Sequence, residues 1–224
     1  MVVFYKNYKR SDRTLLSIQS VKHLFPDLEI NCLFLFDEKP SEYNDILPQF
    51  AKLGVNIHFD KKTYNFGNPS AVGSKYNGFY FTEGVNKIHQ ICLDYDIREK
   101  VLMVDEDHFF TTGKTIDYLL ENDFDLAVGK WASPPSKNKP PFEPNASIIC
   151  VKPHNMVDIF PIPPKEEYVE FLWGWELVEK AKKLGRNIVK IPTRVQTNYH
   201  KDGVHTNDIN VIKKELKKHN IPYE

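Results

Sequence analysis

The residues with the clearest chemical potential are three consecutive acids, Asp105, Glu106 and Asp107, in the stretch VLMVDEDHFF. The four apolar residues before them are typical of a buried strand. Side chains alternate between the two faces of an extended chain, so we expect Asp105 and Asp107 to face one way and Glu106 the other. Two such carboxylates suit Mg²⁺ or Mn²⁺ that also binds phosphate oxygens. The alternative interpretation is a surface turn with solvated acids.

A second candidate group lies in the stretch WGWE. Glycine is unfavourable inside a helix, so we expect a helix that begins at or after Trp175, beyond Gly174. Glu176 would then stand in the first turn, where the helix dipole favours an ionised carboxylate. Such a carboxylate can take the proton from an acceptor hydroxyl, and Trp173 and Trp175 offer flat faces for sugar rings. The alternative is two core tryptophans beside a glutamate that only stabilises the helix.

Alternating strands and helices surround these residues. Short apolar runs predict strands at 2–6, 29–36, 55–59, 100–104, 125–131, 146–152 and 187–192. Apolar residues three and four apart predict helices at 11–25, 41–54, 81–95, 114–122 and 176–185. This order predicts one α/β domain with a mostly parallel central sheet and helices on both faces. We expect a nucleotide-binding half at about 1–110 and an acceptor-binding half at 111–224.

Two helices in this pattern carry specific expectations. The helix at 41–54 contains Pro48, which we expect to interrupt it. The helix at 81–95 has the strongest periodicity, and its four- and three-residue steps predict one continuous apolar stripe. The stripe consists of Phe81, Val85, Ile88, Cys92 and Tyr95.

Composition limits the classes of function. Of 224 residues, 41% are hydrophobic, which is sufficient for a packed core. Lys plus Arg equals Asp plus Glu at 30 each, so we expect no nucleic-acid partner and no binding to anionic membranes through bulk charge. Cys32, Cys92 and Cys150 have apolar neighbours, which favours buried free thiols in a reducing compartment. Neither a signal peptide nor a membrane span is visible, and we expect a cytoplasmic location.

The strand that ends in Asp-x-Asp, after a Rossmann-like half and a long helix, resembles the nucleotide-sugar-dependent glycosyltransferases of the GT-A fold. Four further stretches are similar to that family in the same order, at 73–107, 143–153, 172–185 and 198–203. They read GSKYNGFYFTEGVNKIHQICLDYDIREKVLMVDED, EPNASIICVKP, LWGWELVEKAKKLG and NYHKDG. Ser147 departs from the glycine of many members, which leaves the identity of the sugar open.

The resemblance implies a divalent ion that bridges the protein and the donor diphosphate. Asp107 would be the direct ligand, and Asp105 would be shared between the metal and the donor. His200 would complete the metal site from the C-terminal part of the chain, with His205 as a nearby rival. An imidazole among oxygen ligands favours Mn²⁺, with Mg²⁺ as the alternative.

The resemblance also assigns the donor and acceptor contacts. The residues implied for the nucleotide-sugar are Tyr5, Asn7, Asp37, Lys75, Asp105, Glu106 and Lys201. The residues implied for the acceptor side are Asn145, Trp173 and Trp175. Glu176 falls where the family places its catalytic base, which implies a single displacement that inverts the anomeric centre.

The sequence therefore predicts a metal-dependent enzyme that moves a sugar from a UDP- or GDP-linked donor to a hydroxyl of a glycan or glycoprotein. One alternative is a sugar-phosphate nucleotidylyltransferase, which has a similar sheet. That class should carry a glycine-rich motif after the first strand, and residues 4–13 contain no glycine. The other alternative is a catalytically silent carbohydrate-binding module, which would keep the two tryptophans without needing the three metal candidates.

Overall fold

The computed structural model describes residues 1–7, 11–35, 43–60, 77–106, 108–131, 144–163, 172–195, 203–205 and 208–223. The strands in these ranges are β1 (Val2–Asn7), β2 (Glu29–Leu35), β3 (Asn56–Asp60), β4 (Val101–Asp105), β5 (His108–Phe110), β6 (Leu126–Trp131), β7 (Pro144–Val151), β8 (Ile188–Val195) and β9 (Gly203–His205). The helices are α1 (Ser11–Leu24), α2 (Leu47–Lys52), α3 (Asn77–Asp94), α4 (Lys114–Glu121), α5 (Leu172–Lys183) and α6 (Ile209–Lys218).

The chain forms a single domain around a seven-stranded sheet with the order β3-β2-β1-β4-β7-β6-β8. All neighbouring strands are parallel except at β7, which is antiparallel to both β4 and β6. Strands β5 and β9 form a separate antiparallel ribbon. The α/β architecture with a mostly parallel central sheet that the sequence predicts is confirmed.

Each face of the sheet buries its own apolar cluster, because successive side chains of a strand point to opposite faces. One cluster joins the strands to α3 and α5 and includes Val2, Phe4, Met103, Val85, Ile88 and Leu177. The other joins them to α1, α2 and α4 and includes Val3, Tyr5, Leu102, Ile18, Phe50 and Leu119. A third cluster fastens α6 and the small ribbon to the outer side of α1 through Leu16, Phe109, Ile212 and Leu216.

The helix boundaries correct three of the predictions. Helix α3 ends at Asp94, and Tyr95 is 71% exposed, so the apolar stripe stops at Cys92. Pro48 lies in the first turn of α2, where a missing N–H costs nothing, and it begins the helix instead of interrupting it. Helix α5 begins at Leu172, so Gly174 is helical and buried, and Glu176 belongs to the second turn.

Three elements were not predicted at all, namely β5, β9 and α6. The two strands have three residues each, which is too short for a period to show in the sequence. Helix α6 is capped by the Asp208 side chain, which accepts a hydrogen bond from the backbone N–H of Asn210 at 2.9 Å. Five of its ten residues are charged, and the buried residues are Ile212 and Leu216, so its apolar stripe is too short to predict a helix. No helix in the part of the chain described here is long and apolar enough to cross a membrane.

Helix α3 holds the segment that follows β7 through two polar side chains. Asn86 donates to the carbonyl oxygen of Ile162 at 2.7 Å and accepts from its backbone N–H at 2.8 Å. His89 is buried, lies with Nε2 2.9 Å from the Pro153 carbonyl oxygen and stacks on Phe160 with ring centroids 4.3 Å apart. Since Nε2 meets an oxygen acceptor, it carries the proton in the neutral ring.

The environment of His89 predicts a pH-dependent contribution to stability. Burial lowers the pKa of His89 below its ordinary value, so protonation favours the unfolded chain. The contribution is complete above the unfolded-state pKa of about 6.5 and is lost as the pH falls through the lower folded-state pKa. We expect the difference in unfolding free energy between the native protein and His89→Gln to shrink between about pH 8 and pH 5. Urea unfolding followed by circular dichroism measures it, and a constant difference would contradict this assignment.

Candidate functional site

The order in which the chain adds strands to the sheet changes direction between β1 and β4. From β1 the chain passes through α1 to β2 on one side, and from β3 through α3 to β4 on the other. Open α/β sheets bind ligands beyond the carboxyl ends of strands at such a switch point. At this place β1 ends with Lys6 and Asn7, and β4 ends with Asp105.

A buried ion pair joins the two strand ends. Lys6 and Asp105 are partners in the parallel register of β1 and β4, so their side chains leave the same face of the sheet. The Lys6 Nζ lies 2.6 Å from Asp105 Oδ1, and the two side chains are 0% and 6% exposed. Each charge removes the large cost of burying the other, and breaking such a pair from one side is expensive.

Helix α3 packs against the Lys6 side chain at Gly84. A Cβ added to Gly84 would lie 3.1 Å from Lys6 Cδ and 3.1 Å from Leu35 Cδ1. A side chain at position 84 would therefore require Lys6 or Leu35 to shift by a few tenths of an ångström, and glycine avoids this. The ammonium is thus directed to Asp105 by packing as well as by charge.

On the opposite face, the ends of the strands are bonded to α1. The Asn7 side chain donates to Ser11 Oγ at 3.0 Å and accepts from Thr14 Oγ1 at 2.8 Å. The hydroxyl groups of Tyr5 and Ser17 are hydrogen-bonded at 2.9 Å, and Ser17 also donates to the carbonyl oxygen of His108. These bonds connect β1, α1 and the small ribbon.

This environment bears on the donor contacts predicted for Tyr5 and Asn7. Both side chains are 0% exposed, and burial raises the pKa of Tyr5, which keeps its hydroxyl protonated. Their polar atoms form bonds that position α1. A direct contact with a donor would require these bonds to be exchanged, and for both residues it stays a prediction.

The acid triplet does not continue as a straight strand. Strand β4 ends at Asp105, Glu106 lies in a turn, and Asp107 is outside the described residues. The expectation that Asp105 and Asp107 face the same way assumed an extended chain through Glu106, and that assumption is wrong. Glu106 is buried, and its carboxylate adds to the burial that raises the pKa of the Cys32 thiol.

The fit of a metal ion to this edge can be judged on Asp105. Its Oδ1 already has a cation at 2.6 Å, the Lys6 ammonium, and in the described part of the chain no three His, Cys, Asp or Glu side chains are grouped as metal ligands. The described residues therefore do not fit a metal held through Asp105 Oδ1. The other two predicted ligands, Asp107 and His200, lie outside those residues.

The predicted base lies near the same edge. Helix α5 precedes β8, and β8 is parallel to β6. A helix that precedes such a strand runs from the carboxyl edge of the sheet back to its amino edge. The N-terminal turns of α5 therefore lie towards the carboxyl edge. Glu176 is partly exposed in the second turn, and Leu177 and Val178 anchor the helix in the cluster on the Lys6 face. The dipole argument for Glu176 was wrong, since the effect is confined to the first turn of a helix. Its position at this edge and on this face agrees with a role beside the switch point.

The remaining predicted residues are only partly placed. Trp173 and Trp175 are in α5 and Asn145 is in β7 opposite Gly129, but their side chains are outside the described set. Asp37, Lys75 and Lys201 also lie outside it. His205, the rival to His200, is in β9 and pairs with His108 of β5. These assignments stay predictions.

The three thiols do not belong to the site. Cys32, Cys92 and Cys150 are free and buried, as expected from their apolar neighbours. Burial raises the pKa of Cys92 and Cys150 to about 12 and that of Cys32 well above its ordinary value. A thiol that stays protonated at neutral pH is a poor nucleophile, so we exclude thiol chemistry.

The sequence reasoning missed Lys6 and Gly84. A signal for Lys6 was present, because it is the only charged residue in the run VVFYKN and Asp105 is the only charged residue in the run VLMVD. Opposite charges at the same end of two apolar strands predict a pair if the strands are neighbours. The role of Gly84 had no such signal, because it depends on how closely α3 approaches β1 and β2.

Similarity to known proteins is found for the structure of this chain and not for its sequence. No family model and no curated protein sequence matches the chain. Among solved structures, glucosyl-3-phosphoglycerate synthase from Mycobacterium tuberculosis aligns with a TM-score of 0.55 at 13% identity, over 100% of this chain and 81% of that one. The inositol-1-phosphate CTP transferase from T. maritima aligns with a TM-score of 0.54 at 11% identity, over 99% of this chain and 97% of that one. The galactosyltransferase LgtC, in complex with donor and acceptor sugar analogs, aligns with a TM-score of 0.51 at 14% identity, over 85% of this chain and 73% of that one.

These similarities define the class of fold. The chain has the fold shared by GT-A glycosyltransferases and nucleotidyltransferases. At such low identity the similarity concerns the fold, and the reaction has to be argued from the site.

The ion pair predicts a particular pattern of stability changes. Lys6→Met leaves the Asp105 carboxylate buried without its cation, and we expect a loss of about 3–5 kcal/mol. Adding Asp105→Asn removes the second charge and should restore at least half of that loss. Urea unfolding in the presence of a chelator measures the cycle without any contribution from bound metal. A double variant as unstable as Lys6→Met would show that the lysine contributes only through packing.

Proposed function

We propose that this protein is a glycosyltransferase that uses a nucleotide-diphospho-sugar and transfers the sugar to a hydroxyl of a glycan or glycoprotein. The observation that carries the proposal is the buried Lys6–Asp105 pair at the β1–β4 switch point of a GT-A fold. Burying two charges is costly where packing alone is needed, and the carboxyl ends of strands at a switch point are where open α/β sheets bind ligands. Two fold neighbours, the glucosyl-3-phosphoglycerate synthase and the galactosyltransferase, support the same interpretation.

In this proposal the two faces of the strand ends have different tasks. Asn7 and Tyr5 fix α1 against the sheet, which gives the carboxyl edge a rigid wall. Asp105 would orient the hydroxyls of the donor, since its pairing with Lys6 keeps the carboxylate in a constant position. A fixed acceptor of this kind orients a ligand at little cost in entropy.

Glu176 is the proposed base. It would take the proton from the acceptor hydroxyl while that oxygen forms its bond to the anomeric carbon and the bond to the leaving diphosphate breaks. A single displacement of this kind inverts the anomeric centre. The partly exposed position of Glu176 leaves it accessible to a substrate from the solvent side.

The requirement for Mn²⁺ is a separate part of the proposal. When bound, such an ion would neutralise the charge that develops on the departing diphosphate. Asp107 and His200 are the residues proposed to hold it, with Mg²⁺ as the alternative metal. The donor nucleotide, UDP or GDP, is proposed on the basis of the resemblance of the sequence motifs.

A second candidate function is nucleotidyl transfer to a sugar phosphate. The CTP transferase from T. maritima favours it, because the alignment covers nearly the whole of both chains. The absence of glycine from residues 4–13 weighs against it, since that class cradles phosphates with a glycine-rich turn after the first strand. Release of pyrophosphate from a nucleoside triphosphate and a sugar phosphate would distinguish it from release of UDP or GDP.

We expect the protein to bind a UDP- or GDP-sugar and to release the nucleoside diphosphate slowly even without an acceptor. Thermal shift across a panel of nucleotide-sugars, with and without Mn²⁺, identifies the donor, and coupled detection of UDP or GDP measures the release. Asp107→Asn should reduce the release by about 100-fold or more, because it removes the proposed direct metal ligand.

Asp27→Asn is the matched control. Asp27 is exposed in the turn between α1 and β2, at the opposite edge of the sheet. The same change of charge there should leave the release unaffected. Undiminished release in the presence of a chelator would reject the metal, and failure of every nucleotide-sugar to bind would reject the proposed function.

We expect Glu176→Gln to lower transfer to the acceptor by about 100-fold while leaving donor binding unchanged, because the amide keeps the shape of the side chain but cannot accept the proton. The control is Glu179→Gln in the same helix, where the carboxylate pairs with Lys182 at 2.8 Å. Measuring kcat for transfer and Kd for the donor separates the two effects. Normal transfer by Glu176→Gln would exclude it as the base.

A further inference from the structure

We propose that Lys6 is the resident cation of Asp105 and that it keeps divalent metal ions away from this carboxylate. The inference rests on the proposed function, because the same sheet edge would hold the donor and its metal. It concerns a residue that the sequence motifs do not include, and it changes the role expected of Asp105. In this view Asp105 is an orienting group and not a metal ligand while Lys6 is present.

The Lys6 ammonium occupies space next to one oxygen of Asp105. A divalent ion such as Mg²⁺ binds a carboxylate oxygen at about 2.1 Å. The Lys6 ammonium already lies 2.6 Å from Asp105 Oδ1. A metal on the same oxygen would stand within about 5 Å of the ammonium, and two cations at that distance repel strongly where little water screens them.

The lysine cannot easily move aside. Its side chain is 0% exposed, and the position that a Cβ of Gly84 would occupy lies 3.1 Å from both Lys6 Cδ and Leu35 Cδ1. Turning the ammonium away from Asp105 would separate two buried opposite charges, which is expensive. A metal ion arriving at the edge therefore meets a carboxylate whose charge is already balanced.

The Lys6 ammonium and a divalent metal ion would therefore bind at different places along one sheet edge. The ammonium holds the Asp105 carboxylate in one orientation, whereas any divalent ion depends on ligands beyond the end of β4. Removing the ammonium without changing the size of the side chain should convert Asp105 into an additional ligand. Lys6→Met does this, because methionine is similarly long and unbranched but uncharged.

The test is a titration with Mn²⁺ alone, followed by electron paramagnetic resonance of the free ion, so that no donor or activity is needed. We expect Asp105→Asn to leave the Mn²⁺ affinity within about twofold of the native protein, and Lys6→Met to raise it on the order of tenfold or more. The double variant Lys6→Met/Asp105→Asn should return to the native affinity. Lys52→Met, which removes an exposed lysine on α2, controls for the change in net charge.

Two results would overturn the inference. A loss of about tenfold or more in Asp105→Asn alone would show that Asp105 binds the metal despite Lys6. An unchanged affinity in Lys6→Met, or a gain that persists in the double variant, would show that Lys6 does not control access to this carboxylate. Lys6→Gln replaces Lys6→Met if the latter does not fold, and the Asp105→Asn comparison decides the question in either case. A gain in Mn²⁺ affinity without any binding of nucleotide-sugars would reject the proposed function and leave this inference intact.

Discussion

A lysine and an aspartate that are both buried must remain together, and much of this structure is arranged so that they do. Lys6 and Asp105 meet only because β1 and β4 are parallel neighbours in one register. A slip of one residue in either strand would move its charged side chain to the other face and separate it from its partner, so the pair specifies the alignment of the strands at the centre of the sheet. The absence of a Cβ at Gly84 then allows α3 to cover the lysine. Charge, register and helix packing thus depend on one another at this point.

Because side chains alternate along β1, its last three residues form hydrogen bonds on one face of the sheet and an ion pair on the other. Tyr5 and Asn7 point to the face of α1, where their polar groups are taken by Ser17, Ser11 and Thr14. Lys6, between them, points to the face of α3 and meets Asp105. Structural hydrogen bonds and the charge pair are therefore on opposite sides of the same three residues. A ligand at the switch point would meet the charge pair supported by a wall that is already rigid.

The architecture was predictable because it depends on long apolar periods, whereas the site depends on contacts between distant segments. The strands at 2–6, 29–36 and 100–104 and the helix that contains Val85 and Ile88 were located correctly from local pattern. The start of α5 was misplaced because Gly174 was judged by helix propensity alone, although a buried position on a packed helix overrides a penalty of about 1 kcal/mol. Lys6 was passed over because its partner lies 99 positions away in the chain and is brought near only by sheet order.

Glycosyl transfer and nucleotidyl transfer are both compatible with this fold because both break a bond to a phosphate oxygen at the same sheet edge. At this edge the Lys6 charge is already paired with Asp105, so the pair would supply the same fixed orientation in either reaction. The two chemistries differ in the nucleophile, which is a hydroxyl that needs a base in one case and a phosphate that needs none in the other. The distinction therefore belongs to α5, on the same face as Lys6, where Glu176 stands one turn deeper than a helix-start acid would. Glu176 is partly exposed there, so as the proposed base it would be within reach of an acceptor hydroxyl that approaches from the solvent.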